Sequence, residues 1–216
     1  KRLFLLQKKY NFFLLGGDIS HSKQIVISAN FFGFVTSDKY INRTSPNVND
    51  NIWITGNIGD SSFGLALKRK KISLHPKIKK YFLNKYLFPN PCMIGCKLNN
   101  IATTSIDISD GFYGDLNHII EDTKFGAWIH SEKIPHSYNL NNLIKNKTIN
   151  KNYILSSGDD YQLLFTANKS RDTLIRRIAK LCNIKITKVG IIINNKGIFI
   201  DGKKLIKRKK SFQHIF

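Results

Sequence analysis

Three times in this sequence a short apolar run stops at a turn carrying glycine and a carboxylate. Residues 12–15 run into Gly16-Gly17-Asp18, residues 52–55 into Gly56 through Gly59-Asp60, and residues 105–108 into Ser109-Asp110-Gly111. Runs this short, bounded by turn residues, read as buried strands rather than helices. Glycine after each run lets the backbone turn sharply or approach another group closely. A chain built from such pieces folds into short strands whose ends present acids.

The remaining segments fill in around these strands. Residues 24–35, rich in β-branched and aromatic side chains, are expected to form another strand, and residues 36–50, with Pro46, a loop. Helices are expected over 61–69, 76–86 and 93–100, and after Gly111, where Phe112, Leu116, Ile119 and Ile120 share one face. Strands are expected over 127–129 and 161–167, and a loop with a short helix over 138–152. Ser170 is placed to cap a helix whose stripe is Leu174, Ile178 and Leu181, and 189–193 and 197–200 are expected to pair as a hairpin across Asn194-Asn195-Lys196. The elements alternate without a strict βαβ rhythm, so the expected fold class is α+β, a sandwich rather than a doubly wound sheet.

Composition narrows the function classes. The 216 residues are 42% hydrophobic, enough for a core, and no apolar run is long enough to cross a bilayer, so no membrane partner is expected. Three cysteines, Cys92, Cys96 and Cys182, make no disulfide framework and no CxxC site; they read as small buried hydrophobes of a cytoplasmic protein. The net charge of +21, from 35 Lys+Arg against 14 Asp+Glu, points toward nucleic acid. The basic residues, however, are mostly scattered lysines in a chain also rich in Asn, Ile and Phe. Genomic drift toward A/T-rich codons accounts for that mixture, so no nucleic-acid partner is expected. The first ten residues read as the end of a helix begun earlier, and the sequence starts without Met, so an N-terminal truncation is expected.

Chemistry is expected at the strand ends. Asp107 and Asp110 close one strand three residues apart, with Ser109 between them. Magnesium takes oxygen ligands and keeps several waters, so one or two carboxylates plus substrate phosphates suffice to hold it. Gly16-Gly17-Asp18 is a second site of this kind, and Ser157-Gly158-Asp159-Asp160-Tyr161 places paired acids just before a strand. Each alone is a common turn. The stretch Thr55 to Ser61 resembles a phosphate loop but lacks its lysine, and reads as a tight strand-to-helix connection. The six histidines show no metal spacing, and there is no GxSxG elbow.

In order along the chain, Leu15-Gly16-Gly17-Asp18, Gly33-Phe34-Val35, Arg43-Thr44, Thr55 through Ala66, Ile106 to Gly111, Asp115-Leu116, His118-Ile119 and Ser157 to Leu163 resemble the thiamine-monophosphate kinase pattern. The resemblance runs from about residue 12 to the C-terminus. The wider superfamily includes aminoimidazole-ribonucleotide synthetase. The resemblance implies a two-domain, PurM-like α+β fold, with residues 1–50 a remnant of an ATP-binding, dimerising N-terminal domain and 51–216 a complete C-terminal α/β sandwich domain. It implies ATP as co-substrate, magnesium, thiamine monophosphate as acceptor and a homodimer of full-length subunits. By resemblance Asp18, Asp107 and Asp110 match metal ligands. Gly17, Asp18, Arg43 and Ser109 match ATP contacts, and Asp159 and Phe212 match substrate contacts.

The chain departs from the pattern at several positions. Asp159 stands where the family usually has glutamate, Cys92 where an arginine is expected, and Ser157 where the first of two glycines is expected. The implied reaction moves the γ-phosphoryl of ATP onto the phosphate of thiamine monophosphate, giving thiamine diphosphate. The alternatives are a superfamily relative with another phosphate acceptor, an inactive fragment and, from a different class, a basic nucleic-acid-binding domain.

Overall fold

The computed structural model describes residues 2–35, 40–69 and 74–205. The chain divides into two compact units, Lys1–Val35 and Thr36–Phe216.

The first unit opens with helix α1 (Arg2–Tyr10), whose last turn carries Lys8 and Lys9, favourable charges for a helix C-terminus. Asn11, at φ 52°, takes the left-handed conformation that ends it. The strands expected over 12–15 and 24–35 do not form; these residues are irregular and, Phe12 apart, exposed. The physical reason is the missing ladder, since an extended segment becomes a strand only when another one takes up its N–H and C=O groups. One aromatic contact closes the segment on itself: the Phe12 and Phe31 rings meet edge to face, 6.1 Å apart.

The second unit is a mixed seven-stranded sheet covered by helices. Its strands are β1 (Asn51–Thr55), β2 (Thr104–Asp107), β3 (Gly126–Ile129), β4 (Leu163–Ala167), β5 (Ile186–Ile193), β6 (Gly197–Ile200) and β7 (Lys203–Lys204), in the order β2-β4-β1-β5-β3-β6-β7. All pairs are antiparallel except β3 with β6. Alternation along β1 divides the core. Ile52 and Ile54 join α4 (Phe112–Ile120) in one cluster, while Trp53 faces the opposite side with Phe165 and Ile175 of α7 (Asp172–Leu181). A third cluster packs Phe63 and Leu67 of α2 (Asp60–Arg69) on Phe82 of α3 (Pro76–Leu87), Leu140 of α5 (Tyr138–Lys145) and Ile154 of α6 (Lys151–Leu155).

Five sequence expectations differ from this fold. The segments 189–193 and 197–200 are not a hairpin, because β3 lies between β5 and β6. Gly126 permits this: a Cβ there would sit 2.0 Å from the Asn195 carbonyl oxygen, so only glycine lets the connector cross the end of β3. The buried stripe of α7 is Ile175, Ile178 and the adjoining Cys182, and Leu181 is 76% exposed. Ser170 caps no α-helix; Asn168 accepts a bond from the Ser170 N–H and opens a 3-10 turn, Lys169–Arg171. The helix expected over 93–100 is a single 3-10 turn, Gly95–Leu98, and the polar stretch 138–152 carries α5 and the start of α6 rather than one short helix.

Candidate functional site: an acid-bearing edge of the sheet

Strand β2 is the edge strand, and its last residue, Asp107, pairs with Leu163 of β4. The pairing does not stop where the strands end. The Ile108 N–H donates to the Gln162 carbonyl at 2.7 Å, the Tyr161 N–H to the Ile108 carbonyl at 2.9 Å, and the Asp159 N–H to the Ser109 carbonyl at 3.0 Å. The two loops that follow β2 and precede β4 are thus joined backbone to backbone. Glycines make the approach possible. A Cβ on Gly158 would lie 1.6 Å from the Ser109 carbonyl oxygen, and one on Gly111, at φ 108°, would lie 2.8 Å from the Ser156 carbonyl carbon.

This junction gathers carboxylates. Asp107 is exposed, and Asp110 and Asp159 are half-buried. The Tyr161 hydroxyl donates to Asp159 Oδ1 at 3.4 Å. Burial, then the charge of Asp159, the bond to it, and Asp107 and Asp110 push the Tyr161 phenol up, so all three acids act on one hydroxyl. Asp115, on the first turn of α4, accepts from the Asp110 N–H at 3.1 Å. Burial, then the neighbouring Asp110, raise its carboxyl to about 7; the bond from Asp110 opposes this and Asp107 adds to it.

Beneath the junction lies a second, buried pair of acids. Asp160 accepts from the Gly59 N–H at 2.7 Å and the Ser61 N–H at 3.3 Å, at the N-terminus of α2. Burial raises its carboxyl to about 8 despite these two bonds, with Asp60 and Asp159 adding to the rise. Asp60 accepts from the Ser137 hydroxyl at 2.6 Å and the Tyr81 hydroxyl at 2.8 Å. Burial raises Asp60 as well, and burial with the Asp60 charge pushes Tyr81 up to about 12. The Thr55 hydroxyl donates to the Gln162 side chain at 3.0 Å and accepts from the Leu163 N–H at 2.8 Å, fixing the start of β4. The stretch Thr55 to Ser61 is therefore a strand-to-helix connection, and its Gly59 and Ser61 amides are already taken by Asp160.

Of the residues marked in the sequence, Asp107, Ser109, Asp110 and Asp159 meet at this edge. Arg43 lies beside it: the preceding residue, Asn42, bridges in parallel to Thr104 of β2 and accepts from the Ser105 N–H at 2.9 Å. Gly17 and Asp18 are exposed in the first unit, where the Ile19 N–H donates to Asp18 Oδ1 at 2.8 Å. Phe212 lies outside the described residues. His118 pairs with Glu121 at 2.8 Å on the exposed side of α4, a structural role. Asp60, Asp115, Asp160, Tyr161 and Gln162 all fall within motifs read from the sequence, but none of them has a site role of its own there. The available signal is Asp160 beside Asp159, two adjacent acids of which the fold buries one.

Among the described residues no three His, Cys, Asp or Glu side chains form a ready metal shell. Asp107 and Asp110 nevertheless fit a hard cation. They are oxygen donors three residues apart at a solvent-accessible strand end, and magnesium needs only one or two such carboxylates when phosphates and water complete its octahedron.

No family model matches the chain. Two solved structures superpose on it: the thiamine-monophosphate kinase of Stenotrophomonas maltophilia K279a, at TM-score 0.71 and 25% identity over 79% of this chain, and AaThiL complexed with AMPPCP and TMP, at TM-score 0.70 and 29% identity over 82%. Fold and site together define an α+β protein of the PurM-like type with carboxylates at the edge of its sheet. The thiamine-monophosphate kinase of Buchnera aphidicola subsp. Schizaphis graminum is 37% identical over 99% of the chain. The chain belongs to the thiamine-monophosphate kinase family. It spans 67% of the Buchnera relative and 56% and 55% of the two solved chains.

Proposed function

We propose that this chain carries the acceptor and part of the metal-nucleotide site of an enzyme that moves the γ-phosphoryl of ATP onto thiamine monophosphate. The carrying observation is the fused loop pair, in which the loop bearing Asp107, Ser109 and Asp110 is bonded backbone to backbone to the loop bearing Asp159, in a chain 37% identical to a thiamine-monophosphate kinase. Both reactants are anionic, so charge neutralisation and positioning are the main demands of the chemistry. Asp107 and Asp110 would hold magnesium, which when bound offsets the phosphate charges. Ser109 would face the nucleotide, and Arg43 would meet its phosphates with a planar fork of donors. In the first unit, Asp18 and Gly17 keep the metal-ligand and nucleotide roles that the resemblance gives them. Asp159 would hold the acceptor; Phe212, which the resemblance matches to a substrate contact, lies outside the described residues. The acceptor phosphate is ionised at neutral pH and needs no strong general base, so the site works without a catalytic histidine or cysteine.

This reading divides the chain into a nucleotide-binding and dimerising part, 1–50, and an α+β domain, 51–216, of a cytoplasmic homodimer. Among the described residues no helix is long and apolar enough to cross a membrane. The test is formation of thiamine diphosphate from ATP, magnesium and thiamine monophosphate by the whole protein bearing these residues. Product that depends on all three supports the proposal. Product formed with another phosphate acceptor but not with thiamine monophosphate rejects it.

A further inference from the structure

We propose that Asp160 is a positioning residue which, from the N-terminus of α2, holds Asp159 in the conformation that meets the acceptor. The inference rests on the reading of Asp159 as an acceptor contact. Asp159 and Tyr161 both have left-handed backbones, φ 68° and 50°, and neither is glycine. Such conformations persist only where the surroundings impose them. Asp160, between the two, is 8% exposed and reaches across to bond two amides of another element. With its side chain turned inward, its neighbours on either side are turned toward the acids of the sheet edge. Tyr161 then places its hydroxyl 3.4 Å from Asp159 Oδ1, and the Asp159 and Tyr161 amides close on Ser109 and Ile108.

A second tether acts on the same loop from the same helix. The Ser62 hydroxyl lies 2.8 Å from the Ser157 carbonyl oxygen and 2.9 Å from that of Gly158, and donates to this pair. Helix α2 therefore grips the loop on both sides of Asp159, by the Asp160 carboxyl group after it and two carbonyls before it. Asparagine at 160 keeps the size but offers one oxygen and one NH2 group to two N–H donors, so one bond becomes a clash of donors.

The experiment compares wild type, Asp160→Asn and Ser62→Ala in two measurements. Hydrogen exchange of the Asp159 and Tyr161 amides is expected to quicken about tenfold or more in Asp160→Asn, and less in Ser62→Ala, with β1 and β5 amides unchanged. Calorimetric affinity for thiamine monophosphate is expected to fall about tenfold while affinity for ATP with magnesium holds. Unchanged exchange at 159 and 161 overturns the proposal. So does an equal loss of both affinities, which marks Asp160 as a general structural residue. If Asp160→Asn does not fold, Ser62→Ala is measured in the same two ways, and the same outcomes support or overturn the proposal. Wild type that binds ATP but no thiamine monophosphate overturns the acceptor reading and the role given to Asp159, while the anchoring is judged on exchange alone.

Discussion

Asp107 and Asp160 belong to one site but meet opposite electrostatic demands. Asp107 is exposed at the end of an edge strand, where its carboxylate oxygens are open to solvent and to a cation. Replacing it by asparagine keeps the shape and removes the charge a hard cation requires. We expect Asp107→Asn in the whole protein to lower magnesium-dependent turnover by roughly 100-fold or more, with an unchanged unfolding midpoint. Rates across a magnesium titration check this, and an unaltered rate and midpoint reject Asp107 as a ligand. Asp160 sits in the interior, and its carboxyl is raised to about 8 mainly by burial. From about pH 4 to about 8 the folded chain therefore holds a proton that the unfolded chain has released, and this group's contribution to stability falls as pH rises through that window. The stability of wild type relative to Asp160→Asn is expected to decline from pH 5 to pH 8. Urea unfolding of both proteins at each pH measures it, and a rising difference contradicts it. The spacing of Asp159 and Asp160 alone does not tell them apart; only the resemblance gives Asp159 the acceptor contact, and the fold then puts Asp160 in the interior. Gly158 and Gly111 were visible as turn formers, but their use is to let two loops touch. Gly158→Ala is expected to cost about 1–3 kcal/mol or more in denaturant unfolding, because the new methyl meets backbone that cannot move aside.

At the scale of elements, the sequence was legible where burial follows period and composition. The strands at 52–55, 105–108 and 127–129 and the helix after Gly111 stand where alternation and glycine turns placed them, each within a residue or so at its ends. Phase and pairing were less legible. The helix α7 has one broad apolar arc, so the stripe of Leu174, Ile178 and Leu181 along one margin fits the period as well as the buried one, which starts at Ile175. The distinction is measurable. Ile175→Ala removes a fully buried side chain and is expected to cost about 2–5 kcal/mol, whereas Leu181→Ala, at a position 76% exposed, should stay within about 0.5 kcal/mol. Equal costs for the two would mean that the helix packs in the other phase. The hairpin between 189–193 and 197–200 failed for a different reason. Local turn chemistry favours pairing of sequence neighbours, but insertion of β3 between them gives both strands a partner and buries Ala127 and Ile129 as well. No local signal competes with that gain, because Gly126, which makes room for it, lies about 70 residues before the connector.

For the whole molecule, the two units differ most in what they leave exposed. The second unit encloses three apolar clusters between its sheet and helices. In the first unit, Leu15 is 88% exposed, Ile19 98%, Ile25 94%, Ile27 88% and Phe32 88%, within a segment of 24 residues ending at Val35 that has no ladder partner there. Apolar surface on that scale is rare on a monomer, and unpaired extended backbone beside it can still pair with another chain. The charge of +21 opposes association at low salt, but screening shortens its reach to about 8 Å at physiological ionic strength, while apolar burial persists. We therefore expect the chain to self-associate, and to do so more strongly as salt is added. A purely electrostatic association with contaminating nucleic acid would weaken instead. Sedimentation velocity over a salt series, at a matched 260 to 280 nm absorbance ratio, separates the two. The double substitution Ile27→Lys and Phe32→Lys should shift the population toward monomer without altering the unfolding of the second unit, since neither side chain belongs to its core. A chain that stays monomeric at high salt would show that the first unit covers its own apolar residues, and would remove the ground for assigning residues 1–50 to a dimerising part.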